Sequence, residues 1–251
     1  MIRQWINKIR KATLKRGFVC DCCNGELFDY PQTRICIECE EKLLYNDRHT
    51  CSACGRTSVT EGVCLICKQR PPAFIGVSPY VYIGETASVI VRIKNGNRRL
   101  SCALAERMVE KLMKQCAISS CDIVVLPIPM SERKQAIRGY NQALDLAEVV
   151  EERLQQAGYR VVLHTDVLIK RRETPQQKHL TLRERSANLQ GVFHLAKRAI
   201  LKDKTVLLVD DIMTTGATGD VCATLCKNAG AKEVYFLCAA AAPEKQPTLV
   251  R

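Results

Sequence analysis

Long hydrophobic runs are missing from this chain of 251 residues. None approaches the roughly 18 consecutive apolar residues that a membrane-spanning helix needs. Arg3, Lys8, Arg10 and Lys11 break up the first sixteen residues, so no apolar core suited to a signal peptide forms there. These two absences lead to the expectation of a cytosolic protein. Glycine-rich nucleotide loops are missing as well, both the dehydrogenase-type Gly-x-Gly-x-x-Gly and the Gly-Lys-Ser/Thr loop. His49, His164, His179 and His194 are the only histidines, and none stands in a recognisable acid–base motif. Apart from cysteine pairs there is no internal repeat, and no low-complexity tail. A composition that is 47% hydrophobic and 25% charged is nevertheless ordinary for a folded protein with a packed core.

What the chain does have is cysteine, 15 in all. A cytosolic chain keeps its thiols reduced, so disulfides do not account for them. Nine of the 15 lie between Cys20 and Cys67, and eight of these form four C-x2-C pairs: Cys20/Cys23, Cys36/Cys39, Cys51/Cys54 and Cys64/Cys67. A C-x2-C turn sets two thiolates on one side of a tight knuckle, half of a tetrahedral zinc site. Four pairs therefore predict two structural zinc ions. Consecutive ribbons and a cross-braced pairing use the same residues, and both remain open. Cys22 reads as a non-ligand, with exchange against Cys20 an alternative. The single Cys102, Cys116, Cys121, Cys222, Cys226 and Cys238 fall in helix- or strand-like runs and read as buried hydrophobes.

The net charge of +12 divides unevenly. Residues 1–70 hold 12 Lys/Arg and 8 Asp/Glu, a surplus that eight thiolates and two zinc ions would cancel. The remaining 26 Lys/Arg and 18 Asp/Glu leave the second part basic and suited to an anionic partner. Three domains follow: a basic amphipathic helix over 1–16, a double zinc-ribbon module over 17–70, and a larger domain over 71–251 entered through Pro71-Pro72.

Beyond Phe74, strand-like and helix-like runs alternate, which predicts an α/β fold with a parallel sheet flanked by helices. Strands are expected over 77–83, 122–126, 159–168, 205–209 and 233–239. Helices are expected over 85–94, 101–115 with Ser101 as N-cap, 141–157 and 217–229.

Val206 to Thr218, reading V-L-L-V-D-D-I-M-T-T-G-A-T, carries the chemistry. A buried strand ends in two carboxylates able to accept hydrogen bonds from neighbouring ribose hydroxyls. A turn of small hydroxylated residues then enters a helix, where backbone N–H groups and the helix dipole cradle a phosphate. This combination resembles the motif by which type I phosphoribosyltransferases bind phosphoribosyl pyrophosphate (PRPP). The resemblance implies that Asp210 and Asp211 hold the ribose hydroxyls and position the transition state. Thr214, Thr215, Gly216, Ala217 and Thr218 would hold the 5-phosphate, and Mg²⁺ would arrive with PRPP. Upstream, Pro127, Ile128 and Pro129 break a strand into a loop followed by the cations Arg133, Lys134 and Arg138, a natural pyrophosphate site. The run from Thr174 to Phe193 reads as a flap over the diphosphate.

Four C-x2-C pairs, then P-I-P with R-G-Y-N-Q-A, then Q-x-x-L…R-x-x-N-L-x-G-x-F and D-D-x-x-T-T-G-A-T, together resemble the ComF family over roughly 20–239. That family comprises competence-linked, phosphoribosyltransferase-like proteins. The resemblance implies support of natural transformation through handling of incoming single-stranded DNA, with a ComFA-like helicase as partner. Two other readings stand beside it. One is a nucleic-acid-binding accessory protein whose PRPP site is regulatory or vestigial, using Lys94, Arg98, Arg99, Arg171 and Arg172. The other is a nucleotide-salvage phosphoribosyltransferase unrelated to competence.

Overall fold

The computed structural model of the protein describes residues 19–27, 34–47, 49–118, 122–172, 189 and 191–244. The helix expected over 1–16, Cys121, and 174–188 and 190 of the expected flap lie outside the described residues.

One strand, β7 (Thr205–Met213), is the spine of the domain. Side chains alternate along a strand with period two, so Val206 and Leu208 enter one hydrophobic cluster while Leu207 and Val209 enter the other. With both faces covered, the strand reads as continuously apolar, as parallel strands do. On one face lie α4 (Arg99–Gln115) and α6 (Gln142–Gln156), contributing Leu104, Met108, Leu112, Leu146, Val150 and Leu154. The other face is covered by α7 (Ala217–Asn228) through Cys222, Ala223 and Cys226. Each fully buried leucine or valine stabilises the fold by roughly 1.5–3 kcal/mol.

The strand order is β1 (Ile75–Val77), β8 (Glu233–Ala241), β7, β3 (Asp122–Pro127) and β4 (Arg160–Leu163), with β2 (Tyr80–Val81) also on β8. Every pairing in this sheet is parallel. A separate antiparallel pair joins β5 (Leu168–Lys170) to β6 (Phe193–Leu195). The parallel sheet flanked by helices agrees with the α/β expectation.

The details differ in four places. The strand expected over 77–83 is two short strands, because the chain turns at Ser78-Pro79 and the Ser78 hydroxyl donates to the Tyr80 carbonyl. The strand expected over 159–168 splits into β4 and β5, which belong to different sheets. α4 begins at Arg99, two residues before Ser101, which is fully buried inside the helix and is not its cap. Finally, α5 (Glu132–Arg138) occupies what read as loop. It buries no residue and so carries no apolar period.

The cysteine-rich segment sits against the edge of the sheet. A Cβ added to Gly76 of β1 would come within 2.0 Å of the Cys54 carbonyl oxygen, and one on Gly55 within 2.2 Å of the Gly76 carbonyl oxygen. Backbone meets backbone there, and only glycine allows it.

Candidate ligand cleft and cysteine centres

β7 runs on through both acids to Met213, pairing Asp210 with Cys238 and Ile212 with Ala240 on β8. The chain then turns through Thr214-Thr215 to Gly216, at φ 83°, and α7 starts at Ala217. The Thr215 hydroxyl accepts from the Ala217 N–H at 3.3 Å, which holds the loop against the first turn of the helix.

Asp210 and Asp211 open into a cavity of about 300 Å³ together with Thr218, Lys94, Lys134 and Arg138. Lys94 pairs with Asp211 at 2.9 Å. Asp210 instead accepts the Asp211 backbone N–H at 2.9 Å. Burial, reinforced by the neighbouring Asp211 charge, pushes the Asp210 carboxyl well above the ordinary carboxylate range. Lys170 lines the cavity as well, which thus sets two acids against four cations.

The R-G-Y-N-Q run builds the wall opposite the acids. Gly139, at φ 75°, ends α5 in the left-handed region. The Tyr140 hydroxyl donates to the Ile93 carbonyl and accepts from the Gly96 N–H at 3.0 Å, tying this wall to the turn that carries Lys94. Asn141 caps α6 through the Ala143 N–H and donates to the Ile128 carbonyl at 3.1 Å. Gln142 accepts from Arg138 at 3.0 Å. Two donors face the cavity without a hydrogen-bond partner among the described residues: Ser131 Oγ, 6% exposed, and Gln142 Nε2, 2% exposed. A buried donor left unpaired costs about 1–3 kcal/mol, and an oxygen-rich anion in the cavity would remove that cost.

The other residues singled out in the sequence scatter around this cavity. Ile128 and Pro129 line it, Pro127 ends β3, and Arg133 is exposed on α5. Thr214 is exposed, while Thr215, Gly216 and Ala217 line a second cavity of about 410 Å³ on the other side of the loop. Arg98 forms a two-pronged ion pair with buried Asp145, both contacts at 2.7 Å, and stacks over Tyr140. Arg99 pairs with buried Asp21 at 2.8 Å. Arg171 and Arg172 are exposed just past β5.

The eight paired cysteines form two tetrads, Cys20/Cys23/Cys36/Cys39 and Cys51/Cys54/Cys64/Cys67, with the sulfurs of each within 4.8 Å of one another. Consecutive pairs therefore close each group, and the cross-braced arrangement is not adopted. Four thiolates about 2.3 Å from a tetrahedral zinc lie about 3.8 Å apart. Cys23 Sγ and Cys36 Sγ are 3.8 Å apart, and Cys54 Sγ and Cys64 Sγ are 3.9 Å apart, so both tetrads fit zinc. Backbone N–H groups point at the sulfurs: Cys22 and Cys36 at Cys20, Gly25 at Cys23, and Cys64 at Cys51, each at 3.3 Å. The Gly25 N–H lowers the Cys23 thiol to about 7. A hydrogen bond from Cys67, with Arg56 adding to it, lowers Cys54 to about 5. Cys22 stays outside its tetrad and accepts from Arg92 at 3.4 Å.

Comparison with known proteins agrees with this geometry. Residues 141–249 match the phosphoribosyl transferase domain family. Competence protein F of Haemophilus influenzae is 26% identical over 88% of this chain and 89% of its own length. Competence protein ComFC of Bacillus subtilis is 26% identical over 75% of each. Over most of its length the chain is similar to these competence proteins. DNA utilization protein YhgH of Escherichia coli K12 is similar as well, at 24% identity over 81% of this chain and 89% of its own. The sheet of this chain, which matches the phosphoribosyl transferase domain family in its C-terminal part, thus carries a cysteine-rich module that could hold two zinc ions. Sequence reasoning did not connect Lys94 or Ser131 with the cleft, and it gave Arg56 no role. No motif marks them, because they reach their positions only through tertiary packing.

Proposed function

We propose that the protein binds PRPP in the Asp210/Asp211 cavity and supports DNA uptake as a phosphoribosyltransferase-like member of the ComF family. One observation carries the ligand reading: twin acids in the carboxyl-terminal half of β7 share a cavity with Lys134, Arg138 and two unpartnered buried donors. The acids accept the ribose hydroxyls, and the loop over 214–218 takes the 5-phosphate. Arg138, Ser131 and Gln142 face the diphosphate. Magnesium arrives as the counter-ion of that diphosphate, as part of the ligand. In a transfer reaction the ribose C1–oxygen bond breaks, its electron pair leaves with the diphosphate, and an acceptor's lone pair forms the new bond. The residues contribute position and charge to that step, and none acts as nucleophile.

The two tetrads take two structural zinc ions, because all eight thiolates close their sites and leave no position for water. No helix among the described residues is long and apolar enough to cross a membrane, which is compatible with a cytoplasmic protein. The names of the relatives, competence protein and DNA utilization protein, support the pathway part, with incoming single-stranded DNA as nucleic-acid partner and a ComFA-like helicase as protein partner. Arg171 and Arg172 are the better candidates for phosphate-backbone contacts, since Arg98 and Arg99 are paired with buried acids.

Calorimetry with PRPP and Mg²⁺ tests the ligand. Binding heat is expected from wild type and none from Asp210→Ala/Asp211→Ala; a silent wild type, or equal heat from the variant, overturns the reading. Because the Asp210 carboxyl is raised, lowering the pH protonates it sooner than an ordinary aspartate near 3.9. Affinity should accordingly begin to fall above that pH. Fluorescence anisotropy tests the nucleic acid: single-stranded DNA is expected to bind with a steep salt dependence that flattens in Arg171→Gln/Arg172→Gln.

A further inference from the structure

The second cavity lies between the phosphate loop and the second cysteine tetrad. Thr215, Gly216 and Ala217 form one side, and Cys54, Cys67 and Arg56 the other. Arg56 is 3% exposed, an unusual burial for a guanidinium. Its Nε donates to Cys54 Sγ at 3.2 Å. Its Nη2 would lie 3.9 Å from a Cβ built on Gly216, with the Phe74 ring at 3.5 Å from the same point. One side chain therefore touches a metal-binding sulfur at one end and backs the phosphate loop at the other. A second tie runs in parallel. Asp220, in the first turn of α7, accepts from the Ala73 N–H and from Arg70 Nη2, each at 2.9 Å, and both donors follow shortly after Cys67. The first tetrad differs, since its contacts run to Arg92, Asn97 and Arg99 around the turn after α3 (Gly84–Lys94).

We propose that Arg56 is a positioning residue that couples metal occupancy of the Cys51/Cys54/Cys64/Cys67 centre to the grip of the phosphate loop. Four thiolates drawn onto one ion hold Cys54 Sγ in place and negative, and this orients the guanidinium. The fixed cation then adds positive field to a loop already aimed at an anion, and with Phe74 it braces Gly216. Without the ion the sulfur loses its fixed position and the brace slackens. Coupling of this kind is reciprocal, so a phosphate-bearing ligand must in turn hold the second ion more tightly and leave the first unchanged. The inference rests on the PRPP reading above.

The test is zinc loss from the full chain to 4-(2-pyridylazo)resorcinol, with and without saturating PRPP and Mg²⁺, alongside calorimetry of the same samples. Cys23→Ser identifies the kinetic phase that belongs to the second centre. PRPP is expected to slow that phase about fivefold or more, within the usual range of allosteric coupling, and to leave the other phase alone. In Arg56→Leu the ligand still gives heat, with weaker affinity, but no longer slows zinc loss. A merely structural arginine would change both rates without changing their response to PRPP. Binding heat in wild type with zinc loss unaltered refutes the coupling alone, as does slowing that survives in Arg56→Leu. No heat in wild type refutes the ligand reading and the coupling with it. If Arg56→Leu does not fold, the contrast between the two phases in wild type still decides.

Discussion

The two cysteine tetrads use the same C-x2-C pairs, yet the fold treats them differently. All four sulfur residues of the second tetrad are buried, whereas in the first Cys23 is exposed and Cys36 partly so. Charge tethers the first: Asp21, 2% exposed, pairs with Arg34 and Arg99, and Arg34 reaches on to Glu106 of α4. Backbone tethers the second, through the Gly55–Gly76 approach and through Glu244, which accepts from the N–H groups of Val59 and Leu65 and from the Ser58 hydroxyl. A cysteine knuckle is thus an anchor in one place and part of a cavity wall in the other. The distinction comes from what each knuckle touches.

Removing one ligand from each centre should break the comparison most sharply. Structural zinc sites contribute on the order of 10 kcal/mol to folding of their modules. Cys54→Ser and Cys23→Ser should each lower zinc content by one ion per chain in metal analysis. Cys54→Ser should also weaken PRPP at least tenfold by calorimetry, and Cys23→Ser by less than about twofold. Equal losses would mean that the two centres stand in the same relation to the cleft.

A smaller and cleaner contrast uses glycine. Gly76→Ala forces a Cβ against the Cys54 carbonyl at 2.0 Å, so the backbones must separate. Overpacking of this sort costs typically 1–3 kcal/mol. In the first knuckle a Cβ on Gly25 meets only Cys23 Sγ, at 3.3 Å. Gly25→Ala should fall within about 0.5 kcal/mol of wild type, as surface substitutions usually do. Denaturant unfolding of both variants measures the difference.

How much of this was legible in the sequence depends on the range of the interaction involved. The Asp-Asp-Thr loop is local in sequence and in space, so a strand, its acids and the following helix start were read directly from consecutive residues, although the strand runs on past the acids to Met213. Within each cysteine pair the knuckle was equally plain. Which pair joins which was not, because ribbon and cross-brace use identical ligands and differ only in which pairs the fold brings together. Ser101 illustrates a local rule overridden: it resembles an N-cap, yet Leu100, Leu104 and Met108 bury the stripe that includes it, and the helix begins earlier. The arginines show the limit most clearly. Arg98 and Arg99 looked like a basic cluster for an anion, and their partners, Asp145 and Asp21, lie 47 and 78 residues away. Charge counted along a chain cannot show which cations are already paired with buried acids.

The finest test of the contrast is titration of the carboxylate that pins the second knuckle. Burial pushes the Glu244 carboxyl up, but hydrogen bonds from Val59, Ser58 and Leu65 outweigh it and hold the group below its ordinary value. A carboxyl depressed in the folded state contributes stability that is present above its unfolded pKa, near 4.3. That contribution is lost as pH falls through the folded pKa. Glu244→Gln should therefore cost about 1.5–3 kcal/mol at neutral pH, the range of hydrogen bonds to a charged acceptor, and the gap from wild type should close as the pH drops below about 4.3. The first knuckle has the opposite sign, because burial raises the Asp21 carboxyl despite Arg99 and Arg34. Neutralising Asp21 removes a burial penalty along with its ion pairs, so Asp21→Asn should lose less at neutral pH than the two arginine contacts alone would suggest. Thermal unfolding of both variants from about pH 7 down to about pH 2.5, through the range in which a depressed carboxyl titrates, each read as the difference from wild type, separates a knuckle held by a depressed carboxylate from one held across a strained charge. Parallel curves would mean that one kind of tether serves both.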